Sequence, residues 1–329
     1  MKVLVTGASG FLGRHVVAEL LRRGHGVRAL LRGGAAIGPW TGRVEVVRGD
    51  LRAPDALVGV AGDADAVVHL AAAVAGDAED AFTAAVVGTE NLFAALEGSR
   101  VRRLILASSI ALYDWGAANG TITEDTPLVR DPWPRGGYTV AKLWQERVSR
   151  LGAAEHGIAL TVLRPGFIWG RGRDALVGIG QSIGRVHFVV SGGRSLPATY
   201  VENCAHCFGS VVEDGRAAGR EYNLVDAPGA SAWRYMGAHL RGTRSAGVRV
   251  PVPYAAARGA ALLATTAAHR MFEHGGRLPS LLDLPRLEAR FKPVEWTSAR
   301  LEHELDWRPP ITFEDAVRRT YGPATCVPC

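Results

Sequence analysis

The chain reads as an α/β protein built on a doubly wound parallel sheet. Three observations predict this. Short β-branched apolar runs alternate with stretches of helical apolar spacing. A glycine-rich turn joins the first run to the first helix, which is the strand–turn–helix context of a phosphate-binding unit. The length, 329 residues with 47 % apolar and 21 % charged side chains, permits a large core, as one α/β unit or two unequal lobes.

Met1–Thr6 is the first strand, and apolar Val16, Val17, Leu20 and Leu21 mark a helix over Arg14–Arg23. Between them lies Thr6-Gly7-Ala8-Ser9-Gly10-Phe11-Leu12-Gly13. Gly7 allows the tight turn, Gly10 has no Cβ to keep a pyrophosphate from the backbone, and Gly13 lets helix and strand pack closely. The unpaired N–H groups at the helix start face an anion, so Gly7, Ser9, Gly10, Phe11, Leu12 and Gly13 are candidate cofactor contacts. The bland alternative is a tight turn that holds nothing.

Gly26–Leu31 is the second strand. An acidic residue near its end would take a ribose 2′-hydroxyl. Leu31 and Arg32 stand there instead, and a guanidinium suits a 2′-phosphate, so NADP(H) is expected ahead of NAD(H). Arg28 is a weaker helper, because strand alternation can aim it elsewhere. Val44–Arg48 is the third strand, followed by Gly49, Asp50 and Leu51. Asp50 is a candidate acceptor for the adenine amino group, or else a cap for the segment near Pro54. Ala66–Leu70 is the fourth strand, and the small residues Ala71, Ala72 and Ala73 let a dinucleotide lie close. His69, inside this apolar run, reads as packed rather than catalytic.

Asp77–Leu96 reads as one long helix and Arg103–Ala107 as the fifth strand, with Ser108 and Ser109 at its carboxyl end. Ligands of open parallel sheets bind at carboxyl ends. A loop rich in Gly, Asp and Pro leads to a helix over Tyr138–His156. Leu160–Arg164 is the sixth strand, ending in Pro165-Gly166. Residues 170–197 are glycine-rich and poorly periodic, which predicts an irregular, substrate-facing insertion. Val201–Val212 is helical, Glu221–Val225 returns as a strand, and the remainder is mostly helical, with Tyr254–Phe272 as a lid helix. Residues 1–169 and 200–226 are thus expected to form the dinucleotide-binding domain, and 170–199 and 227–329 a smaller, mainly helical substrate lobe.

The net charge of +6 comes from scattered arginines without a dense cluster, which argues against nucleic acid as a partner. Cys204/Cys207 and Cys326/Cys329 are too far apart for a zinc ribbon; the first pair reads as buried helix thiols and the second as a frayed tail. No apolar run is long enough to span a membrane, and the first strand leaves no room for a signal peptide, so a cytoplasmic location is expected.

Tyr138 and Lys142 are one helical turn apart and share a face. A free phenol titrates at roughly 10. A neighbouring ammonium favours the phenolate and would fit Tyr138 to serve as general acid toward a carbonyl or base toward an alcohol. Lys142 could also hold the nicotinamide ribose, and Ser109 could polarise the same oxygen.

With these residues in place, the chain resembles the extended or atypical short-chain dehydrogenase/reductases, whose sheet is of the Rossmann type. That superfamily includes nucleotide-sugar epimerases, dihydroflavonol reductases and 3-beta-hydroxysteroid dehydrogenases. The resemblance covers nearly the whole chain. It rests on Thr6-Gly7-x-x-Gly10-x-x-Gly13, Gly49-Asp50-Leu51, His69-Leu70-Ala71-Ala72, Gly88-Thr89-x-Asn91, Ser108-Ser109 with Tyr113, Tyr138-x-x-x-Lys142, Leu163-Arg164-Pro165-Gly166 and the stretch from Trp296 to Pro309. It implies Ser109, Tyr138 and Lys142 as catalytic triad, and Gly7, Gly10 and Gly13 at the pyrophosphate. Arg32 falls at the 2′-phosphate, Asp50 and Leu51 beside adenine, Leu70, Ala71 and Ala72 along the cofactor, and Pro165 at the nicotinamide end. It also implies a homodimer through the Asp77–Leu96 and Tyr138–His156 helices.

Three departures narrow the substrate. Ala85 stands where many members carry Asn. Leu196–Asn203 lacks the arginine that pairs with a nucleotide-sugar phosphate, and residues 170–193 lack the usual motif spacing. The leading expectation is therefore an NADP(H)-dependent oxidoreductase acting on a ketone, aldehyde or alcohol of a mainly apolar small molecule. The alternatives are a nucleotide-sugar epimerase or dehydratase with NAD bound, and a binding protein that senses NADP without turnover.

Overall fold

The computed structural model describes residues 1–323 except 36–37, 41, 73–77, 176–177, 192, 227–228, 272–278 and 280. Ala73, Asp77, Phe272, Cys326 and Cys329, all singled out above, lie outside the described residues.

Seven strands form the central sheet: β1 (Lys2–Thr6), β2 (Gly26–Leu31), β3 (Glu45–Arg48), β4 (Ala66–His69), β5 (Arg103–Ala107), β6 (Ala159–Pro165) and β7 (Glu221–Leu224). Their order is β7-β6-β5-β4-β1-β2-β3, and every adjacent pair is parallel. The chain winds outward from β1 to β3, then crosses back to β4 on the other side. The switch point falls between β1 and β4, where Thr6 pairs with His69. A crevice opens there at the carboxyl ends.

Strand alternation explains the two covering layers. Val3 and Val5 join α1 (Phe11–Arg22) and α5 (Val201–Glu213) in one core with Val16, Val17, Leu20 and Phe208. Leu4 faces the opposite way and joins Leu92, Phe93, Leu96 and Ala153. Those come from α3 (Val87–Leu96) and α4 (Gly137–Glu155), beside α2 (Ala78–Ala85). Cys204 and Cys207 are buried free thiols in the α5 layer.

The expected long helix is interrupted at Val86, between α2 and α3. Thr89 causes the break. Its hydroxyl takes the Ala85 carbonyl at 2.5 Å, and its backbone N–H turns to Val86 O at 3.0 Å. Hydroxyl competition of this kind is what makes threonine a poor mid-helix residue.

The stretch expected to be irregular contains regular structure. Gly180–Ile183 and Val186–Val190 pair antiparallel, and Val248–Val252 joins parallel on the far side. Glycine is the reason it looks disordered in sequence and the reason it pairs. A Cβ on Gly180 (φ 159°) would sit 1.7 Å from Phe188 O, so only glycine admits this ladder. A second short pair, Phe167–Trp169 with Ala198–Tyr200, leads back to α5. Beyond it come α6 (Ala232–Gly242), α7 (Tyr254–Met271) and α8 (Leu284–Phe291). The lobe is mainly helical as expected, with Val248–Val252 a strand within it. Trp169, Tyr200 and Tyr235 centre this lobe's core, the Trp169 and Tyr235 rings edge-on at 5.0 Å. Leu301 and Leu305 of α9 (Ala299–Leu305), with Trp307, return to the α1/α5 layer. Among the described residues no helix is long and apolar enough to cross a membrane.

Candidate functional site

A cleft of about 990 Å³ lies over the carboxyl ends of β1, β4 and β5, and Gly7, Ser9, Gly10, Phe11, Leu12, Gly13, Arg32, Asp50, Leu51, Leu70, Ala71, Ala72, Ser109, Tyr138, Lys142 and Pro165 all line it. At its floor the glycine turn is set by steric contact. Gly7 has φ 70°, and a Cβ there would come within 2.8 Å of Ala71 N. A Cβ on Gly13 would be 2.1 Å from Gly7 O. Gly10 is the N-cap of α1 and donates to Gly7 O at 3.0 Å. The first-turn amides beyond it open into the cleft, a site for an anion.

At one end sit Arg32 and Asp50. Asp50 accepts from Arg52 N at 3.0 Å and from its guanidinium at 2.8 Å. That pairing holds the carboxyl below the ordinary carboxylate range. The capping alternative for Asp50 is not realised, because the turn Pro54–Leu57 begins at Ala53 with no side-chain cap. Arg28 is turned away from the cleft: it donates to Val60 O at 2.8 Å and Gly59 O at 3.1 Å, and pairs with Glu45. Asn91 Nδ2 holds Leu51 O at 2.8 Å, giving that motif asparagine a positioning task.

At the other end Ser109, Tyr138 and Lys142 converge. Ser109 Oγ accepts from Ala111 N at 3.1 Å and stands beside Tyr138 in the cleft, where it favours the phenolate. Tyr138 keeps 38 % of its surface exposed, yet desolvation of its hydroxyl raises its pKa, while Ser109 and the charge of Arg173 oppose the rise. Lys142 Nζ donates to Ala107 O at 2.6 Å and Gln145 Oε1 at 2.9 Å. Burial lowers its pKa to about 8 against the pull of Glu146. Arg173, from the segment after Gly170, lends positive charge to Tyr138, and no spacing rule points to it.

His69 is buried and neutral. It hydrogen-bonds with Thr6 Oγ1 at 2.6 Å and Thr89 Oγ1 at 2.9 Å, and burial, with Lys142 adding, lowers its pKa to about 3. Gln145 ties this group to the cleft: its Nε2 donates to Ala71 O at 3.0 Å while its Oε1 receives Lys142. Sequence reading missed Gln145, although its i+3 spacing from Lys142 places it on the same face. It also missed the network under Ser109. Ser108 Oγ donates to Glu146 Oε2 at 2.5 Å, Arg164 Nη2 donates to Glu146 Oε1 at 2.6 Å, and Arg164 Nη1 reaches Tyr113 Oη at 2.8 Å. Tyr113 in turn donates to Asn223 Oδ1 at 2.7 Å. Together these pin the ends of β5, β6 and β7 to α4.

A doubly wound sheet with a glycine turn at its switch point and a Ser–Tyr pair across the crevice defines a dinucleotide-binding α/β protein. Residues 3–224 match the model of the NAD dependent epimerase/dehydratase family, and the chain belongs to that family, within the extended short-chain dehydrogenase/reductases. It is 32 % identical over 338 residues to the 4-hydroxy-2-methyl-3-oxo-4-farnesyl-3,4-dihydroquinoline-1-oxide ketoreductase of Stigmatella aurantiaca, covering 98 % of this chain and 97 % of that one. It is 31 % identical over 243 residues to a 3 beta-hydroxysteroid dehydrogenase/Delta 5-->4-isomerase of Mycobacterium tuberculosis, covering 69 % of this chain but only 65 % of the relative's length. The fold matches UDP-glucuronic acid 4-epimerase from Bacillus cereus in complex with NAD at a TM-score of 0.71 and 19 % identity, over 98 % of this chain and 96 % of that one.

The family's cofactor is a nicotinamide dinucleotide, and the residues present fit one. The cleft is continuous from Arg32 to Tyr138, with helix-start amides midway and the small residues Ala71 and Ala72 along its wall.

Proposed function

We propose that the protein is an NADP(H)-dependent oxidoreductase. It reduces a ketone or aldehyde, or oxidises the corresponding alcohol, of a small molecule with a mainly apolar body. The observation that carries this reading is the convergence of Ser109, Tyr138 and Lys142 in the cleft that also holds the glycine turn.

The bound nicotinamide supplies the hydride or takes it up. The chain's own residues handle the proton. Desolvation keeps Tyr138 protonated at neutral pH, which suits donation to a carbonyl oxygen, and Ser109 stabilises the phenolate left behind. Arg173 adds positive charge at the same point. Lys142, fixed between Ala107 and Gln145, presents an ammonium to the cleft for a ribose hydroxyl. Arg32, at the far end, supports a 2′-phosphate. Ile110, Trp115, Phe167 and Ile168 line the reacting end and favour an apolar substrate body. The names of the relatives, a ketoreductase and a hydroxysteroid dehydrogenase, agree with this class. A homodimer through α2–α3 and α4 fits Trp144 and Leu151, which α4 leaves exposed; sedimentation at micromolar protein tests it.

The deciding experiment is NADPH oxidation across a carbonyl panel with wild type and Tyr138→Phe. Loss of one proton donor should lower turnover roughly 100- to 10,000-fold, with NADPH affinity unchanged. A variant that still turns over at wild-type rate refutes the assignment. Tightly co-purifying NAD with no net consumption points instead to an epimerase.

A further inference from the structure

The roof of the reacting end is made by α8 and the turn Trp133–Arg135, which pack on each other. Arg135, Arg286 and Arg290 line the cleft there, beside Trp115 and Phe167. Among the described lining residues the one carboxylate is Asp50, at the far end near Arg32. Guanidinium groups withdrawn from water need partners, so their pairing decides which is free. Arg135 is engaged: it donates to Tyr113 O at 2.5 Å and to Asp114 Oδ1 at 3.1 Å. Arg286 lies 3.6 Å from Asp283. Glu288, on the same helix, is bound by Arg258 at 3.0 Å. Arg290 is left over. No carboxylate or carbonyl among the described residues accepts a hydrogen bond from its guanidinium; Arg286 stands near it with like charge and Asp283 with opposite charge.

We infer that the reacting end binds a carboxylate on Arg290, so that the substrate is an oxo or hydroxy acid whose apolar body lies along Trp115 and Phe167. The inference deepens the hydride-transfer reading above and rests on it for the word substrate. Asp114 offsets Arg135 and Asp283 lies beside Arg286, while Arg290 has no hydrogen-bonded acceptor among the described residues. Arg173, 5.8 Å over the ring of Phe11, adds a further positive charge that also reaches Tyr138. Burial and the neighbouring Arg286 both disfavour the charged form of Arg290, with Asp283 opposing them. An incoming anion relieves that cost, a gain the free carboxylate sees and a neutral isostere does not.

The test is calorimetric binding of octanoate and its neutral isostere octanamide to protein saturated with NADP⁺, with uridine diphosphate as a third probe. Wild type should bind octanoate roughly ten- to a hundredfold more tightly than octanamide, the size of a charge-assisted contact. Arg290→Ala should erase that difference, Arg290→Lys should keep part of it, and Tyr138→Phe should leave it intact. Arg290→Gln, which keeps a polar, uncharged side chain, serves if the alanine variant fails to fold. Equal affinity of the two probes, binding of neither, or a preference that survives Arg290→Ala overturns the inference. So does uridine diphosphate binding more tightly than octanoate in an Arg290-dependent way. Binding needs no turnover, so the two readings fail separately. Protein that reduces no carbonyl yet prefers octanoate refutes hydride transfer alone, and protein that reduces ketones while binding both probes equally refutes the carboxylate site alone.

Discussion

Burial has turned His69 from a titrating group into a fixed junction between β1, β4 and α3. Its pKa, lowered to about 3, fixes the sign of a pH effect. Between that value and the ordinary 6.5 the unfolded chain binds a proton that the native chain refuses, so stability falls as pH drops through this window. His69→Gln should cost about 1–3 kcal/mol at pH 7 by leaving a threonine hydroxyl unpaired. The deficit should shrink on acidification toward pH 3; urea melts of both proteins that stay parallel across the window would disprove the junction role. The proposed 2′-phosphate contact at Arg32 is testable. Arg32→Ala should weaken NADPH far more than NADH in fluorescence titrations, and equal losses would remove the 2′-phosphate role. Gly13→Ala places a Cβ 2.1 Å from Gly7 O. It should destabilise by about 1–3 kcal/mol through overpacking and abolish thermal protection by NADP⁺.

At the scale of elements, the ends of β5, β6 and α4 are joined by charge rather than by apolar contact. Arg164 and Glu146 are each 2 % exposed at the side chain and lie 2.6 Å apart. Glu146 is held ionised mainly by Arg164, against a desolvation that would raise its pKa. Removing one partner strands the other. Arg164→Met should cost about 3–5 kcal/mol in chemical denaturation, and adding Glu146→Gln should recover a large part of it. If the double variant is no more stable than the single, the pair is not coupled. The same network lies directly under Ser108–Ser109, so Arg164→Met should also reduce turnover without changing NADPH affinity. The break between α2 and α3 belongs to this scale too. Thr89 spends its hydroxyl on Ala85 and on the His69 group, and the helix yields.

For the molecule as a whole, the late chain supports the early fold. Trp307 packs in the α1/α5 core and its Nε1 donates to His206 Nδ1 at 3.0 Å. Trp307→Ala should cost about 3–5 kcal/mol, although the residue lies outside the cleft. The loss should appear in the melting transition that NADP⁺ raises. A loss confined to a separate, cofactor-insensitive transition would show that α9 does not stabilise the nucleotide layer.

The sequence by itself determined the sheet and its cofactor crevice. Alternation of Val3, Leu4 and Val5, the glycine spacing, and the placing of Ser109 and Tyr138 after strand and helix starts are local patterns, and local sterics decide them. All seven central strands were legible for that reason, with ends shifted by a residue at most. Only the tertiary structure decided which partner each long polar side chain takes. Lys142 turned to Ala107 and Gln145, Arg28 to Val60, and Arg173 came to lend its charge to Tyr138. Val186–Val190 gained its second partner from Val248–Val252, much further along the chain. A flexible side chain or an edge strand takes the nearest group that desolvation leaves it, and that group comes from distant chain, beyond the reach of any periodicity.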